Sequence, residues 1–401
     1  MNKALEVKNN IHWVGSLDFN LRVFDIIMRS DYGTTYNSYV VKGEDKTVLF
    51  EISKEGFFDQ FIERLGSVCD PKEIDYVVVN HTEPDHTGAL IKLLEINPDL
   101  EIIASQSAAN FLKNILNCDF KTKIVKEGDT VDLGGMTLNF ISVPFLHWPD
   151  SIYTYIPEAK TLFSCDSFGC HYCDERVFND LIGFNEGFEE AYKYYFDHIM
   201  GPFKSYVMDA IAKIKDLEIE TICNGHGPVI RSNPQKYIDM YKAWATVEKP
   251  SLPRVLLPYL SAYGYTEELA GKVFEGLQAA GNIDVKMYNL VETGTDSVIK
   301  ELGNASGIII GSPTLLGDTL PPVWDILKSL NSNIHKGLLG GAFGSYGWSG
   351  EAVPAIEARF RQLRFKMPAE GLRVCFKSTG EDLQKAYELG KTFGEAVLDS
   401  K

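Results

Sequence analysis

Four side chains that can bind a metal ion lie within six consecutive residues of this 401-residue chain. Residues 81–86 read HTEPDH and contain His81, Glu83, Asp85 and His86. Carboxylates crowded this closely repel one another unless a cation neutralises them, so an ordinary solvated turn is the weaker interpretation. The segment therefore predicts a metal site with these four residues as ligands.

The segment directly follows a short apolar run at residues 76–79, which predicts a buried strand. Pro84 has a fixed φ and stiffens the loop that leaves this strand. In α/β proteins the ends of strands commonly carry the chemistry. We therefore expect the four side chains to emerge together at the edge of a sheet.

Three isolated polar residues, each at the end of an apolar stretch, extend this prediction. They are His147, Asp166 and His226, separated by tens of residues. Each alone is commonly a turn residue, but a dense cluster followed by His, Asp and His is typical of a binuclear site built from successive loops. The glycines on both sides of His226 permit a close backbone approach to the metals.

The whole chain has the composition of a globular protein and a net charge of −16. This charge disfavours binding to nucleic acid, which requires a basic face, and to anionic membranes. The chain is too long for one ordinary core, so we expect two domains. No signal peptide and no apolar run of membrane-spanning length is present, which predicts a cytoplasmic protein without membrane contact.

The seven cysteines are odd in number and irregularly spaced, which argues against a disulfide framework and for a reducing compartment. Cys170 and Cys173 form a single C-x-x-C pair, and without a second pair we interpret them as structural. The polar segment 243–253 contains two prolines and predicts a linker. We therefore place one domain at residues 1–249 and the other at residues 250–401.

The second domain alternates apolar strands with amphipathic helices, and five such units predict a doubly wound parallel sheet. Three loops at the strand ends carry hydroxyls, glycines and aromatic rings but no lysine. Hydroxyls and backbone N–H groups at a helix N-terminus bind phosphate without a cationic side chain. The residues predicted to bind a mononucleotide are Ser261, Ala262, Tyr263, Gly264, Tyr265, Thr266, Ser312, Pro313, Thr314, Leu315, Ser345, Tyr346, Gly347 and Trp348.

The pattern H-x-E-x-D-H followed by separated His, Asp and His resembles the metallo-β-lactamase superfamily. Most hydrolytic members of that superfamily carry a second histidine where this chain has Glu83, and the glutamate resembles the flavodiiron proteins. The three loops resemble flavodoxin, which implies FMN. The fold implied is α/β, an N-terminal metallo-β-lactamase-like αββα sandwich followed by a flavodoxin-like doubly wound five-stranded parallel sheet.

The resemblance implies that His81, Glu83 and His147 hold one iron, that Asp85, His86 and His226 hold the other, and that Asp166 bridges them. Mixed nitrogen and oxygen ligands independently suit iron. Three carboxylates and one hydroxide would also neutralise two ferrous ions, which lowers the cost of burying them. His171 lies close to Asp166 in sequence and is predicted to orient a bound gas or supply a proton; a plain surface histidine is the alternative.

The family resemblance implies an oxidoreductase that reduces O2 to water, NO to N2O, or both. The chain resembles the short form of the family, so we expect an external electron donor, either rubredoxin or a reduced deazaflavin. The resemblance also implies a head-to-tail homodimer, or a dimer of such dimers, in which the FMN of one chain lies close to the irons of the other.

Two other functions fit parts of the sequence. One is a zinc-dependent hydrolase with a flavodoxin docking module; Glu83 and a flavin that hydrolysis does not need argue against it. The other is a pure electron carrier whose first domain is a degenerate scaffold, which the complete ligand set disfavours. Metal analysis separates these alternatives from a diiron enzyme.

Overall fold

The computed structural model describes residues 3–247, 250–332, 334–335 and 337–400. The chain divides into two compact units, residues 1–246 and 247–401. The predicted linker at 243–253 begins inside a helix that continues to Ala245, so its first three residues are helical. Residues 248 and 249 lie outside the described residues, and the domain boundary after residue 249 stays a prediction.

Strands dominate the first unit, and the described strands are, in chain order, β1 (Leu5–Lys8), β2 (Ile11–Trp13), β3 (Ser16–Asp18), β4 (Val23–Phe24), β5 (Met28–Arg29), β6 (Thr34–Tyr36), β7 (Tyr39–Lys42), β8 (Thr47–Phe50), β9 (Tyr76–Val79), β10 (Glu101–Ala104), β11 (Lys121–Ile124), β12 (Thr130–Asp132), β13 (Thr137–Ser142), β14 (Ile152–Ile156), β15 (Thr161–Cys165), β16 (Thr221–Asn224), β17 (Arg254–Tyr259), β18 (Asp284–Asn289), β19 (Gly307–Gly311), β20 (Leu339–Tyr346) and β21 (Leu372–Cys375). The last five strands belong to the second unit.

The described α-helices are α1 (Phe58–Gly66), α2 (Pro84–Thr87), α3 (Leu90–Ile96), α4 (Gln106–Leu116), α5 (Asn179–Ile182), α6 (Glu186–Tyr195), α7 (Lys204–Ile214), α8 (Pro234–Ala245), α9 (Tyr265–Ala280), α10 (Leu290–Thr293), α11 (Asp296–Glu301), α12 (Pro321–Ser329), α13 (Ala352–Gln362) and α14 (Gly380–Asp399). A π-helical turn, Phe196–Met200, follows α6. Short 3₁₀ turns are found at Glu55–Phe57, Pro71–Glu73, Gly201–Phe203 and Leu302–Asn304.

Two sheets form the centre of the first unit. One has seven strands in the order β1-β2-β7-β8-β9-β10-β11, and the other has five in the order β12-β13-β14-β15-β16. Their facing surfaces are apolar, and Phe50 of β8 stacks on Phe163 of β15 with ring centroids 3.7 Å apart. Helices α1, α3 and α4 cover the outer face of the first sheet, and α6, α7 and α8 cover the second. The predicted αββα sandwich is confirmed.

The second unit is a five-stranded parallel sheet in the order β18-β17-β19-β20-β21. Successive residues of β17 point to opposite faces, so Leu256 packs with α12 and α13 while Val255 and Leu257 pack with α9 and α14. The predicted doubly wound sheet is confirmed. The strand order reverses between β17 and β19, which is where sheets of this kind bind ligands.

The seven cysteines form no disulfide bond, as expected from their number and spacing. Burial raises the pKa of the Cys170 thiol, and burial raises the pKa of Cys173 to about 12. A thiol with a raised pKa is a poor nucleophile and metal ligand, which agrees with a structural role for this pair. None of the described helices combines the length and apolar character that a membrane crossing requires.

Candidate metal centre and cofactor cleft

The metal-binding residues predicted from the sequence come from both sheets of the first unit. His81 and Glu83 follow β9, and Asp85 and His86 lie in the helical turn α2. The predicted stiff loop is thus partly helical, because Pro84 occupies the first position of that turn, where its missing N–H costs nothing. The list is completed by residues after β13, β15 and β16, namely His147, Asp166 and His226.

Four donor atoms converge on one side of Asp166. Oε2 of Glu83 lies 3.2 Å from Nε2 of His81 and 3.0 Å from Nε2 of His147. Oδ2 of Asp166 lies 3.5 and 3.3 Å from the same two nitrogens. Ligands about 2.1 Å from a common ion are separated by roughly 3.0–3.4 Å, so this group fits a metal ion.

A second group converges on the other oxygen of Asp166. Oδ1 lies 3.0 Å from Nε2 of His86 and 3.4 Å from Nε2 of His226. The two oxygens of Asp85 approach the same rings, with Oδ1 3.6 Å from His86 and Oδ2 3.0 Å from His226. The two oxygens of Asp166 therefore face two separate donor sets, which is the arrangement of a bridging carboxylate.

Three carboxylate oxygens of this site lack well-aligned proton donors. Both oxygens of Asp85 and Oδ2 of Asp166 are buried without a hydrogen bond from any described residue. A buried, unpaired carboxylate oxygen is costly, and a cation removes that cost. The donor set of imidazoles and carboxylates, without a thiolate, fits iron better than it fits zinc.

The histidines and carboxylates shift each other's pKa values strongly. Burial alone would lower the pKa of His81, His86 and His147, but neighbouring carboxylates outweigh it and raise each pKa to about 10. Burial alone would raise the pKa of Glu83 and Asp166, but the histidines hold both pKa values well below the usual range. The site is thus a compact cluster of opposite charges.

The backbone around His226 is adapted to close packing. A Cβ atom on Gly225 would lie 2.7 Å from Cε1 of His86, so a larger residue there would displace a proposed ligand. Gly227 has φ +77° and lies against Cys170. Nδ1 of His226 is 2.7 Å from the carbonyl oxygen of Thr35, which fixes the orientation of the ring.

His171 is buried beside the metal centre and does not lie on the surface. Its Nδ1 is 2.9 Å from Oγ1 of Thr34, and its ring centroid is 5.2 Å from that of His226. Burial lowers the pKa of His171 to about 3, with a further contribution from His226. The ring also borders a cavity of about 20 Å³, enough for one water molecule.

Sequence reasoning missed a hairpin that covers this site. Strands β4 and β5 bring the ring of Phe24 4.2 Å from that of His171 and 5.5 Å from that of His226. Burial, then Glu83 and Asp85, raises the pKa of Asp25 at the hairpin turn to about 6. The sequence could not place this hairpin beside the metal centre, because the hairpin and the ligand residues are far apart along the chain.

Two tyrosines also adjoin the metal centre. The ring of Tyr195 lies 5.0 Å from that of His171 and 6.3 Å from that of His226. The ring of Tyr36 lies 6.0 Å from that of His226. Both side chains are buried.

A cleft of about 740 Å³ opens at the strand ends of the second unit. Among the predicted cofactor residues, those lining it are Ala262, Tyr263, Tyr265, Pro313, Thr314, Leu315, Ser345, Tyr346, Gly347 and Trp348. The side chains of Tyr263 and Trp348 are 83% and 88% exposed, and exposed aromatic rings in a cleft are typical of a ligand-binding site. The sequence missed the continuation of the second loop at 318–321 and Phe376 after β21.

The remaining predicted cofactor residues hold the loops in place. The hydroxyl oxygens of Thr266 and Ser345 are 2.8 Å apart, and this hydrogen bond connects the first loop to the third. The hydroxyl of Ser312 accepts a hydrogen bond of 2.7 Å from Thr319, and the hydroxyl of Ser261 accepts one of 3.3 Å from the backbone of Glu267.

Gly264 starts α9 from a left-handed conformation. Its φ is +84°, and as a glycine it supplies no capping side chain. The backbone N–H of Glu267 donates to the hydroxyl of Ser261. The other N–H groups at the start of α9 adjoin the loop of 261–264, where they can donate to a phosphate group, although Glu267 and Glu268 make this turn acidic. The described lining of the cleft contains no lysine or arginine.

Comparisons with known proteins extend these observations. The family model for ODP family beta lactamase matches residues 34–227, and the flavodoxin model matches residues 257–390. The flavo-diiron protein FprA2 of Clostridium acetobutylicum is 37% identical over 403 residues, covering 98% of this chain and 100% of that protein. A nitric oxide reductase of Moorella thermoacetica is 38% identical over 405 residues, covering 100% of both.

The solved structure of rubredoxin oxygen:oxidoreductase from Desulfovibrio gigas is similar over 99% of both chains, with 30% identity and a TM-score of 0.64. The two family models match in the order of the two units. The relatives and the solved structure cover nearly the whole chain, so they agree with a metal centre in the first unit and a cofactor cleft in the second. The chain therefore belongs to the flavodiiron protein family.

Proposed function

We propose that this chain reduces O2 to water, NO to N2O, or both, with electrons that reach a diiron centre through FMN from an external donor. Relatives named nitric oxide reductase and rubredoxin oxygen:oxidoreductase are oxidoreductases, and so is this chain. Its cofactors are FMN and a non-haem diiron centre. Bound iron would supply valence change and an open position for a diatomic gas.

The observation that carries this proposal is the position of Asp166 between two donor sets. We assign His81, Glu83 and His147 to one iron and Asp85, His86 and His226 to the other, with Asp166 as the bridge. Distances of 3.0–3.6 Å between their nitrogen and oxygen atoms support this assignment. Glu83 in place of the histidine of hydrolytic relatives favours iron and redox chemistry over zinc and hydrolysis.

For His171 we propose a role in orienting a small molecule beside the metal centre. A histidine whose pKa is lowered to about 3 is neutral near neutral pH, so it is a poor proton donor. Its Nε2 is buried and has no hydrogen-bond partner among the described residues. That nitrogen is therefore available to a water molecule or a bound gas.

In the cleft, the loop at 261–266 would hold the phosphate of FMN, and the loops at 312–315 and 345–348 would hold its ring system. The backbone N–H groups at the start of α9 support the first assignment, because they can donate to a phosphate although Glu267 and Glu268 lie in the same turn. The exposed ring of Trp348 supports the second, because a flat aromatic cofactor would cover it.

The predicted assembly is a head-to-tail homodimer, or a dimer of such dimers, in which FMN of one chain serves the irons of the other. The predicted donor is rubredoxin or a reduced deazaflavin, and the predicted location is the cytoplasm. The printed name of the Desulfovibrio gigas relative supports rubredoxin as the first donor to test.

The test is anaerobic turnover of the purified protein with chemically reduced rubredoxin, comparing consumption of O2 and of NO. We expect at least one gas to be consumed together with oxidation of the donor. Metal analysis of the same preparation should find iron. Zinc in its place, with no consumption of either gas, would support the hydrolase alternative and overturn this proposal.

Mixing two inactive variants tests the assembly. Asp166→Ala removes the bridge and should keep FMN, whereas Ala262→Glu places a negative charge in the proposed phosphate loop and should keep iron. If electrons cross between chains, a mixed dimer contains one working pair, and activity returns when the variants are unfolded and refolded together. No recovery in a mixture shown to form mixed dimers would argue for transfer within one chain.

A further inference from the structure

The side of His81 that faces away from the metal centre lies against a buried carboxylate. Nδ1 of His81 is 3.4 Å from Oδ2 of Asp150. Asp150 is only 1% exposed, and His81 is completely buried. Asp150 contacts none of the other proposed ligands in the described structure, so the donor set alone does not explain its burial.

The carboxylate of Asp150 is held firmly in this position. The backbone N–H and the hydroxyl of Thr82 both donate to its Oδ2, each at 2.8 Å. The hydroxyl of Ser105, at the start of α4, donates at 2.9 Å to the backbone carbonyl of Asp150. Because Thr82 is the neighbour of His81, the carboxylate of Asp150 is tied to the ligand segment, while the backbone of Asp150 is tied to the start of α4.

Ring orientation decides which nitrogen of His81 can reach a metal. Nε2 points to Glu83 and Asp166 at 3.2 and 3.5 Å, and Nδ1 points to Asp150. A carboxylate that accepts the proton of Nδ1 selects the tautomer whose Nε2 lone pair is free, and it makes that nitrogen more basic. Nδ1 of His81 has no hydrogen bond of full geometry among the described residues, and Oδ2 of Asp150 at 3.4 Å is the carboxylate oxygen that it faces.

The corresponding contact on the other side of Asp166 is different. His226 places its Nδ1 2.7 Å from the carbonyl oxygen of Thr35, which is a neutral acceptor. Nδ1 of His86 has no hydrogen-bond partner among the described residues. The surroundings therefore differ between His81, whose Nδ1 faces the carboxylate of Asp150, and His226, whose Nδ1 faces a peptide carbonyl. His86 has the buried carboxylate of Glu51 within 4.8 Å.

We propose that Asp150 is a positioning residue that fixes the tautomer and orientation of His81, and so strengthens one of the two metal positions selectively. The metal concerned is the one assigned to His81, Glu83 and His147. This inference rests on the proposed ligand assignment. It predicts that the two metals of one chain differ in their rates of release and in their spectra.

The test compares Asp150→Asn and Asp150→Ala with the wild-type holoprotein. Asparagine can still accept from Thr82 through its carbonyl oxygen but lacks the charge, and alanine lacks both. Metal release to an excess of chelator is followed over time. We expect about half of the bound metal to leave roughly 10–100-fold faster in both variants, with the larger effect in Asp150→Ala, and the other half to leave at the wild-type rate.

A matched control separates positioning from general loosening. Thr154→Val removes a buried hydroxyl that donates at 2.8 Å to Asn80, the residue before His81, without touching Asp150. It should leave both release rates unchanged. Faster release of both halves in Asp150→Asn, or release at the wild-type rate in both Asp150 variants, would overturn the proposal.

Mössbauer spectra distinguish positioning of one metal ligand from a general structural role, because only positioning should change the signal of one iron alone. In the iron-loaded protein, the Mössbauer signal of one of the two irons should change in Asp150→Asn, while the other keeps its wild-type parameters. If Asp150→Ala does not fold, Asp150→Asn alone decides the question. If the purified protein holds zinc, the proposed function fails, but selective release of one metal still tests the role of Asp150.

Discussion

The metal centre and the cofactor cleft recognise their ligands by opposite means. The metal centre uses side chains that are almost completely buried and mostly charged, gathered from both sheets of one unit. The cleft uses neutral hydroxyls, free N–H groups of α9 and exposed rings, all from loops on one edge of a sheet. Charge buried in protein requires its counterion, whereas a cleft lined mostly by uncharged groups can stand open to water.

This difference predicts how each site responds to change. Removing one charged group from the metal centre leaves several others buried without compensation, so effects there should be large. Removing one contact from the cleft leaves the others intact, so effects there should be modest. The following predictions test that contrast, beginning with the largest effect.

Replacing Asp166 with alanine should abolish metal binding at both positions, because each oxygen of this carboxylate faces one donor set. Iron per chain, measured by elemental analysis, should fall to background, while FMN absorbance stays at the wild-type level. Asp99→Ala, at a highly exposed aspartate, is the control and should keep its iron. Loss of only half of the iron in Asp166→Ala would contradict the bridging position.

Loading of the apoprotein with iron should release protons and tighten as pH rises. The pKa values of His81, His86 and His147 are raised to about 10, so each ring carries a proton near neutral pH that metal must displace. For each proton displaced, affinity should rise about tenfold per pH unit below that pKa. Calorimetry in buffers of different ionisation enthalpy measures the number released, and a value of zero would contradict these protonation states.

Trp348→Ala should weaken FMN binding by a smaller factor. An aromatic ring stacked on another contributes about 0.5–1.5 kcal/mol, which corresponds to a factor of roughly 2–12 in Kd. Fluorescence titration of the apoprotein with FMN gives this value, and the iron content should not change. Val291→Ala, at an exposed residue that does not line the cleft, serves as the control.

Thr379→Ala should have the smallest effect and should be confined to stability. Thr379 caps α14 by accepting from the backbone N–H of Asp382 at 3.2 Å, and Asp382 accepts in return at 2.9 Å. Loss of such a cap costs about 1 kcal/mol. Thermal unfolding of the flavodoxin-like unit should shift downward, and Thr379→Ser should restore it, with iron and FMN contents equal in all three proteins.

The sequence was most informative where chemistry is dense over a short distance. His81, Glu83, Asp85 and His86 stand within six residues, so their proximity needed no knowledge of the fold. His147, Asp166 and His226 were found because each follows an apolar stretch of sequence, and the strands of one sandwich bring the loops at their ends together. His147 lies further along its loop than the sequence suggested, because β13 ends at Ser142.

The residues that contact the metal ligands without being ligands themselves could not be predicted from the sequence pattern. Asp150 was visible only as a polar residue near His147, and its role depends on the orientation of a ring on another strand. Asp25 and Phe24 belong to a two-residue strand pair that carries almost no sequence signal. The carbonyl of Thr35 carries none, because every residue has one.

In the cleft, the sequence identified the loops but did not show which of their hydroxyls bond to neighbouring loops. Thr266 and Ser312 stay predicted cofactor residues, and in the described structure their hydroxyls bond to Ser345 and Thr319. A hydroxyl serves a phosphate and a neighbouring loop equally well, so residue type alone cannot decide between them. Phe376 was missed because it follows a strand that supplied no recognised motif.

The two-sided position of Asp166 also has a consequence for assembly of the metal centre. The first ion to arrive orients one oxygen of this carboxylate and thereby fixes the other for its neighbour. The two ions therefore share one anchor, and a substitution that shifts the backbone at residue 166 should lower iron occupancy at both positions together.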